Sequence, residues 1–292
     1  VAKLQSVMPE IDRIFPAYAT DKKIPGMIWG VVIDRLVAHL GSFGVRDRVS
    51  QAAITPDTAF RIASMTKSFT ALAVLKLRDD GRLSLEEPVS RWIPEFARME
   101  RPTRDTPPLT IRQLLSHSAG FPEDNPWGDQ QLSATDAMMD DWLARGIPFS
   151  TPPGTRYEYS NYAFGLLGRV VTKAAGVPYE QYVHSEILSK LHMDGSTFQF
   201  ADVPAPRRAI GYRPKPDGPH AEDPPLPHGV FGSMGGLLTT ATDLGKYVAF
   251  HLSAWPARDD EDTGPVRRAS VREMAHLWTP SNLGARLLDG SL

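Results

Sequence analysis

The stretch Phe60-Arg61-Ile62-Ala63-Ser64-Met65-Thr66-Lys67-Ser68-Phe69-Thr70 governs how the rest of the chain is read. A helical pattern begins at Ala63 and runs to about Asp80, with Phe69, Ala71, Leu72, Val74, Leu75 and Leu77 as its apolar set and Gly81 as a C-terminal cap. If Ser64 opens that helix, Lys67 lies three residues on, on the same face and within reach of the hydroxyl. A helix N-terminus also offers unpaired backbone N–H groups and the positive end of a dipole. Such surroundings lower a lysine's pKa, so that a neutral amine can take a serine proton, and they favour a developing oxyanion. Taken alone, the same four residues also read as a capping serine followed by a solvated lysine.

A second element is Tyr159-Ser160-Asn161, which follows a Pro153-Gly154 turn and precedes another helical pattern. Near a lysine, Tyr159 can serve as a phenolate base or as a proton relay. Asn161 carries a donor and an acceptor, so it can orient Lys67 and a substrate amide together. In isolation, a core tyrosine beside a capping Ser160 or Asn161 is the plainer reading. No G-x-S-x-G elbow, dinucleotide fingerprint, P-loop or H-E-x-x-H occurs, and the eight histidines lack metal-ligand spacing.

Composition sets outer limits. The 292 residues are 41% apolar and 23% charged with a formal net charge of −2, which suits a folded globular protein and neither a disordered nor a polybasic one. Near-neutral charge gives no electrostatic reason to bind nucleic acid. The longest apolar stretch, around Met27–Ile33, is far short of the roughly 18–20 residues of a membrane span. With no cysteine there are no disulfides, thiolate nucleophiles or Cys-based metal sites. The compartment stays open, a periplasmic or secreted location being preferred to a cytoplasmic one.

Along the chain, residues 4–20 read as an amphipathic helix, and Met27–Asp34 with Leu36–Gly44 as an antiparallel hairpin. The break Asp34-Arg35 lacks the Gly or Asn of a tight hairpin turn, which leaves the register open. Helices are expected at Thr110–Ser116, Ala134–Ala144, Tyr162–Ala175, Tyr179–Leu191 and Thr240–Ala254. Eight of the 26 prolines fall between Pro204 and Pro227, so residues 200–230 read as a long extended loop. The acidic run Asp259–Asp262 reads as a solvated turn, and Ser270–Trp278 as a further helical stretch.

Together these segments resemble the serine β-lactamase and penicillin-binding superfamily, and within it the class C-like branch that also contains D-peptidases and carboxylesterases. The 60–70 stretch is similar to its nucleophile segment, and three more matches follow in family order. They are Leu114-Leu115-Ser116-His117-Ser118-Ala119-Gly120-Phe121; Pro153-Gly154-Thr155 through Tyr159-Ser160-Asn161-Tyr162 with Gly165-Leu166-Leu167-Gly168; and Gly235-Gly236-Leu237-Leu238-Thr239-Thr240 with Asp243-Leu244. The resemblance runs from about residue 24 to 250. It implies a mixed α/β (α+β) fold, with an antiparallel sheet flanked by helices beside a mostly helical lobe. Segment 1–60 would give the helix and hairpin of the α/β lobe, 61–230 the helical lobe with both motifs, and 231–292 the return to the α/β lobe. Ser64 would be the nucleophile, with Lys67 and Tyr159 taking its proton. Asn161, Gly235 and Gly236 would face the substrate, and no metal or organic cofactor would be needed. Substrates would be small molecules or short peptides (carboxylic esters, D-amino-acid peptides or β-lactams), an esterase or peptidase being preferred. A catalytically impaired binding protein and an acyltransferase are the alternatives. His117 is expected to be a buried structural residue, because this chemistry runs on Lys and Tyr.

One departure matters. The family's third motif is Lys or His, a small residue, then Gly, on a strand after the glycine-rich segment. No Lys-x-Gly follows Gly236; His39-Leu40-Gly41 is out of order, and Asp262-Thr263-Gly264 has the wrong charge. The strands and helix that should follow this motif are not legible between Ala241 and Leu292. The expectation is that residues beyond Leu292, or another polypeptide, supply them.

Overall fold

The computed structural model describes residues 6–215 and 218–280. Helix α1 (Met8–Asp21) leads into strands β1 (Gly26–Ile33), β2 (Leu36–Asp47), β3 (Ala52–Ala53) and β4 (Phe60–Arg61). Helices α2 (Thr66–Asp79), α3 (Ile111–Leu115), α4 (Asn125–Gln130), α5 (Asp136–Arg145), α6 (Asn161–Ala175) and α7 (Tyr179–Val183) follow. The chain continues through β5 (Gly211–Lys215), β6 (Gly218–Asp223), α8 (Gly232–Gly235), β7 (Leu238–Thr239), α9 (Ala241–Leu252) and α10 (Arg268–Met274). The described residues of 1–61, 188–227 and 238–258 form one compact unit, and those of 62–187, 228–237 and 259–292 form another. These units differ from the expected segments 1–60, 61–230 and 231–292, because residues 188–227 pack with the N-terminal strands. The Ala59 N–H donates to Arg207 O (2.8 Å) and the Ile210 N–H to Arg46 O (2.8 Å), bonds that no local pattern announces.

In the first unit, β1, β2 and β3 form an antiparallel sheet. The β1–β2 turn places both Asp34 (φ 50°) and Arg35 (φ 67°) in the left-handed region, the geometry that matches strand twist in a two-residue hairpin. The turn therefore forms without glycine or asparagine, pairing Ile33 with Leu36, and a bulge between Val31 and Val32 resets the register to Val31–His39. Helix α1 is tied to this sheet by Asp12, whose Oδ1 accepts from Trp29 Nε1 (3.0 Å) and faces His39 Nε2 (2.7 Å). Residues 200–230 are not the continuous extended loop expected. They hold two short 3₁₀ turns and the β5–β6 hairpin, because the Pro-free stretch Gly211–Arg213 is left able to pair with Ala221–Asp223. Among the described residues no strand follows β7, and 281–292, the end of the expected third segment, lie outside them.

The second unit is built around α2 and α6. Helix α2 buries Phe69, Leu72, Ala73, Val74, Leu75 and Leu77, and α6 buries Leu166, Leu167, Val170 and Val171. On α6, Gly165 and Gly168 let the 231–233 segment approach closely: a Cβ at Gly165 would stand 2.7 Å from the Phe231 ring, and one at Gly168 2.4 Å from Ser233 Oγ. Ser233 carries the contact onward. Its hydroxyl donates to Phe164 O (2.8 Å), and its carbonyl accepts from Thr70 Oγ1 (2.6 Å) on α2. The acidic run at 259–262 is more than a solvated turn. Asp262 accepts the Arg268 N–H (2.6 Å) at the start of α10, and Asp260 holds the buried Arg268 guanidinium (2.7 Å). Glu273 of α10 then pairs with Arg78 and Arg112.

Candidate active site

Ser64 lies in a 3₁₀ turn, Ala63–Met65, that runs directly into α2. Ala63 takes φ 46°, a left-handed conformation that costs a non-glycine residue on the order of 1 kcal/mol or more and lifts Ser64 outward, where it is exposed. The neighbouring 235–237 segment pins this turn. The Leu237 N–H donates to Thr66 Oγ1 (3.1 Å), and Leu237 O accepts the Ile62 N–H (2.9 Å). Gly235 lies against the Ala63 backbone, and Gly236 donates its N–H to Gly232 O (2.8 Å). Both glycines are buried and support the Ser64 turn from behind.

One turn along, Lys67 is 7% exposed, and its Nζ has three partners: Asn161 Oδ1 (2.7 Å), Met234 O (2.8 Å) and Ser64 Oγ (3.2 Å). Asn161 Oδ1 and Met234 O can only accept, so they hold two N–H groups; the hydroxyl alone can reverse its role. A neutral Lys67 amine therefore points its lone pair at Ser64. Burial pushes the Lys67 pKa down to about 8, against the partial support that the Asp124 and Asp129 charges give its ammonium form. Desolvation, rather than the helix terminus anticipated from the sequence, is the main cause. At that value about one Lys67 in ten is neutral at pH 7.

Tyr159 completes the cluster, its hydroxyl 2.7 Å from Ser64 Oγ and its ring 4.9 Å from Lys67 Nζ. Burial raises the Tyr159 pKa, so the phenol keeps its proton and can relay one but is not a phenolate at rest. His117 is placed apart from proton transfer. Its Nδ1 accepts the Ser160 N–H (3.1 Å), its ring stacks on Tyr159 (4.6 Å), and burial holds it neutral with a pKa of about 4.

A family model described as Beta-lactamase matches residues 11–288. The chain belongs to the beta-lactamase family. Beta-lactamase-like protein 2 of Dictyostelium discoideum is 32% identical over 266 residues, covering 89% of this chain and 48% of that protein. Protein flp of Staphylococcus aureus is 30% identical over 277 residues, covering 94% of this chain and 53% of flp. The chain thus spans about half the length of these relatives. Among solved structures, the octameric penicillin-binding protein homologue from Pyrococcus abyssi superposes with a TM-score of 0.76 at 28% identity, over 95% of this chain and 60% of the other. These matches place the beta-lactamase-family chain in the serine β-lactamase and penicillin-binding protein superfamily, with its mixed α/β fold.

Three contributors to the site of this beta-lactamase-family chain were missed in the sequence. Asp124 sits at the N-terminus of α6, where its carboxylate accepts the N–H groups of Asn161 and Tyr162 (2.7 Å each) and faces Ser160 Oγ (3.3 Å). Ser160 itself caps α6 through the Ala163 N–H (3.1 Å). Met234 contributes only its carbonyl, which no side-chain pattern can reveal. Gly128 backs Asn161: a Cβ there would stand 2.5 Å from Nδ2 and 2.6 Å from the Asn161 Cβ. Gly128→Ala is therefore expected to push Asn161 off Lys67 at a cost of about 1–3 kcal/mol, typical of overpacking. Thermal unfolding and the rate of Ser64 acylation, measured side by side, should both fall; a variant unchanged in both would remove Gly128 from this role.

Proposed function

We propose that this beta-lactamase-family chain is a serine hydrolase that works through an acyl-enzyme on Ser64. The observation that carries the reading is the Lys67 tripod, two of whose arms end on fixed carbonyl oxygens and the third on the serine hydroxyl. Ser64 Oγ attacks an acyl carbon while its proton moves to the neutral Lys67 amine. The Ser64 N–H, at the start of its turn, contributes to holding the oxyanion. The new ammonium keeps its bonds to Asn161 Oδ1 and Met234 O, and Tyr159 passes a proton on to the leaving group. Water then attacks the ester to Ser64, with Lys67 and Tyr159 again taking and returning the proton. Asn161 Nδ2, which donates one long bond to Asn125 Oδ1 (3.5 Å), has a second N–H with which to orient a substrate amide.

The acyl donor is an ester, a D-amino-acid peptide or a β-lactam, each presenting a carbonyl open to serine attack. Gly235 and Gly236 serve the substrate through the turn they support. A fluorophosphonate probe and a fluorescent penicillin test the reading on the whole chain. Wild type should take up label on Ser64, and Ser64→Ala should take up none. Absence of labelling in wild type by both reagents would favour a binding protein, while label that turns over only when an alcohol is added would favour an acyltransferase.

A further inference from the structure

Three buried polar side chains on α2 hold the 233–237 segment. Thr66 Oγ1 accepts the Leu237 N–H (3.1 Å), Lys67 Nζ donates to Met234 O (2.8 Å), and Thr70 Oγ1 donates to Ser233 O (2.6 Å). Lys67 and Thr70 stand one turn apart on the same face of α2, so together they grip two successive carbonyls of α8. A helix of only four residues leaves its last carbonyls without intrahelical donors. Side chains from α2 fill that place.

The Thr70 hydroxyl has one proton and three oxygens around it. Ser233 O, at 2.6 Å, takes that proton in preference to Thr66 O, at 3.4 Å in the same helix. The Tyr179 hydroxyl lies 2.7 Å from Thr70 Oγ1, and with the Thr70 proton already committed, Tyr179 is the donor of that pair. Burial raises the Tyr179 pKa, so the phenol keeps the proton it gives. A directed chain therefore runs from Tyr179 through Thr70 to Ser233 O, one peptide away from the carbonyl that holds Lys67.

We infer that Thr70, oriented by Tyr179, is a positioning residue for the proton transfer: by fixing Ser233 O it aims Met234 O at Lys67, and so sets where the Lys67 lone pair points. This rests on the reading of Lys67 as the base that takes the Ser64 proton. Thr70 itself takes no part in bond making. Without its grip Met234 O drifts, with two consequences. The neutral amine is less well aimed at Ser64, and the ammonium form loses part of an acceptor, so Lys67 gives up its proton more easily. The other groups that act on the Lys67 charge stay in place: Asp124, Asp129, Asn161 Oδ1, the Tyr159 and Phe164 rings and the neutral His117. A shift in the Lys67 titration then reports Met234 O.

Thr70→Val keeps the shape of the side chain and removes its donor. The rate of Ser64 labelling is followed from about pH 6 to pH 10, with whichever of the fluorophosphonate and the fluorescent penicillin wild type takes up. The limiting rate at high pH should fall about fivefold, because misplacing a reacting group is costly. The midpoint should move about half a unit to lower pH, as a weakened bond to an ammonium loses part of its worth. Thr70→Ser keeps the donor and should restore both values. Tyr179→Phe lets the Thr70 hydroxyl turn toward Thr66 O, and should move both in the same direction by less. A Thr70→Val protein with a lower melting temperature but the wild-type rate and midpoint would make Thr70 a packing residue and overturn the inference, leaving Lys67 as the base. If Thr70→Val does not fold, wild-type values in Tyr179→Phe overturn it equally. Wild type that takes up neither label brings down both readings together.

Discussion

Lys67→Met should slow acylation of Ser64 by about a thousandfold or more, the scale on which a positioned general base contributes, and the protein should still fold. In wild type the acylation rate should rise about tenfold per pH unit below 8 and level off above it, since only the neutral amine accepts the serine proton. Stability carries the matching signature. The native pKa of about 8 lies below the ordinary value of 10.5, so between those two values the unfolded chain holds a proton that the native chain has lost. Stability therefore rises with pH across that window, and at pH 7 the buried ammonium costs about 3 kcal/mol relative to an unperturbed lysine. Methionine removes that cost but leaves Asn161 Oδ1 and Met234 O without their donor, a loss of about 1–3 kcal/mol each. The two nearly offset, so the melting temperature should change little while its rise between pH 8 and 10 disappears. Stopped-flow acylation and unfolding measured across pH would check both. A Lys67→Met protein that acylates at the wild-type rate would remove Lys67 as the base.

Asp124→Ala is expected to be the most damaging change outside the Ser64–Lys67–Tyr159 cluster. It strips the acceptor from two backbone N–H groups and a hydroxyl at the head of α6. Loss of an N-terminal helix cap costs about 0.5–2 kcal/mol, and each N–H left unpaired in a half-buried setting adds about 1 kcal/mol or more. A loss of about 3 kcal/mol should be visible in denaturant unfolding. Acylation should fall at least about tenfold, because Asn161 is the first residue of that helix and its Oδ1 fixes Lys67. A purely structural role would stop there. Asp124 also supports the Lys67 ammonium electrostatically, so the pH–rate profile of the variant should move to lower pH. Asp124→Asn, which keeps one acceptor, should recover part of the stability yet show the same direction of shift. A variant with unchanged midpoint and stability would show that neither the cap nor the charge matters.

The elements that were legible share a physical basis. The hairpin, α2, α3, α5, α6 and α9 announce themselves through apolar spacing and local signals such as Gly81 after α2 and Ser160 before α6. The β5–β6 hairpin was hidden because prolines dominate the stretch around it, while pairing needs only the few residues between them. The hold of Asp260 and Asp262 on Arg268 was hidden too, since an acidic run reads alike whether or not a buried guanidinium lies beneath it.

The sequence by itself singled out Ser64 and Lys67 as a pair three residues apart. That spacing puts the lysine within reach of the hydroxyl where the turn between them is helical, and the 3₁₀ turn Ala63–Met65 running into α2 brings the two to 3.2 Å. The sequence also offered Ser160 or Asn161 as the cap of the helix that follows, and the structure gives that place to Ser160. Only the tertiary structure decided that Lys67 is buried and partly neutral, for its burial depends on groups 94 and 167 residues away, Asn161 Oδ1 and a backbone carbonyl at Met234. The same holds for Asp124 and Gly128, which reach the site by packing against α6. Desolvation is a property of everything that surrounds a group, and no local spacing encodes it.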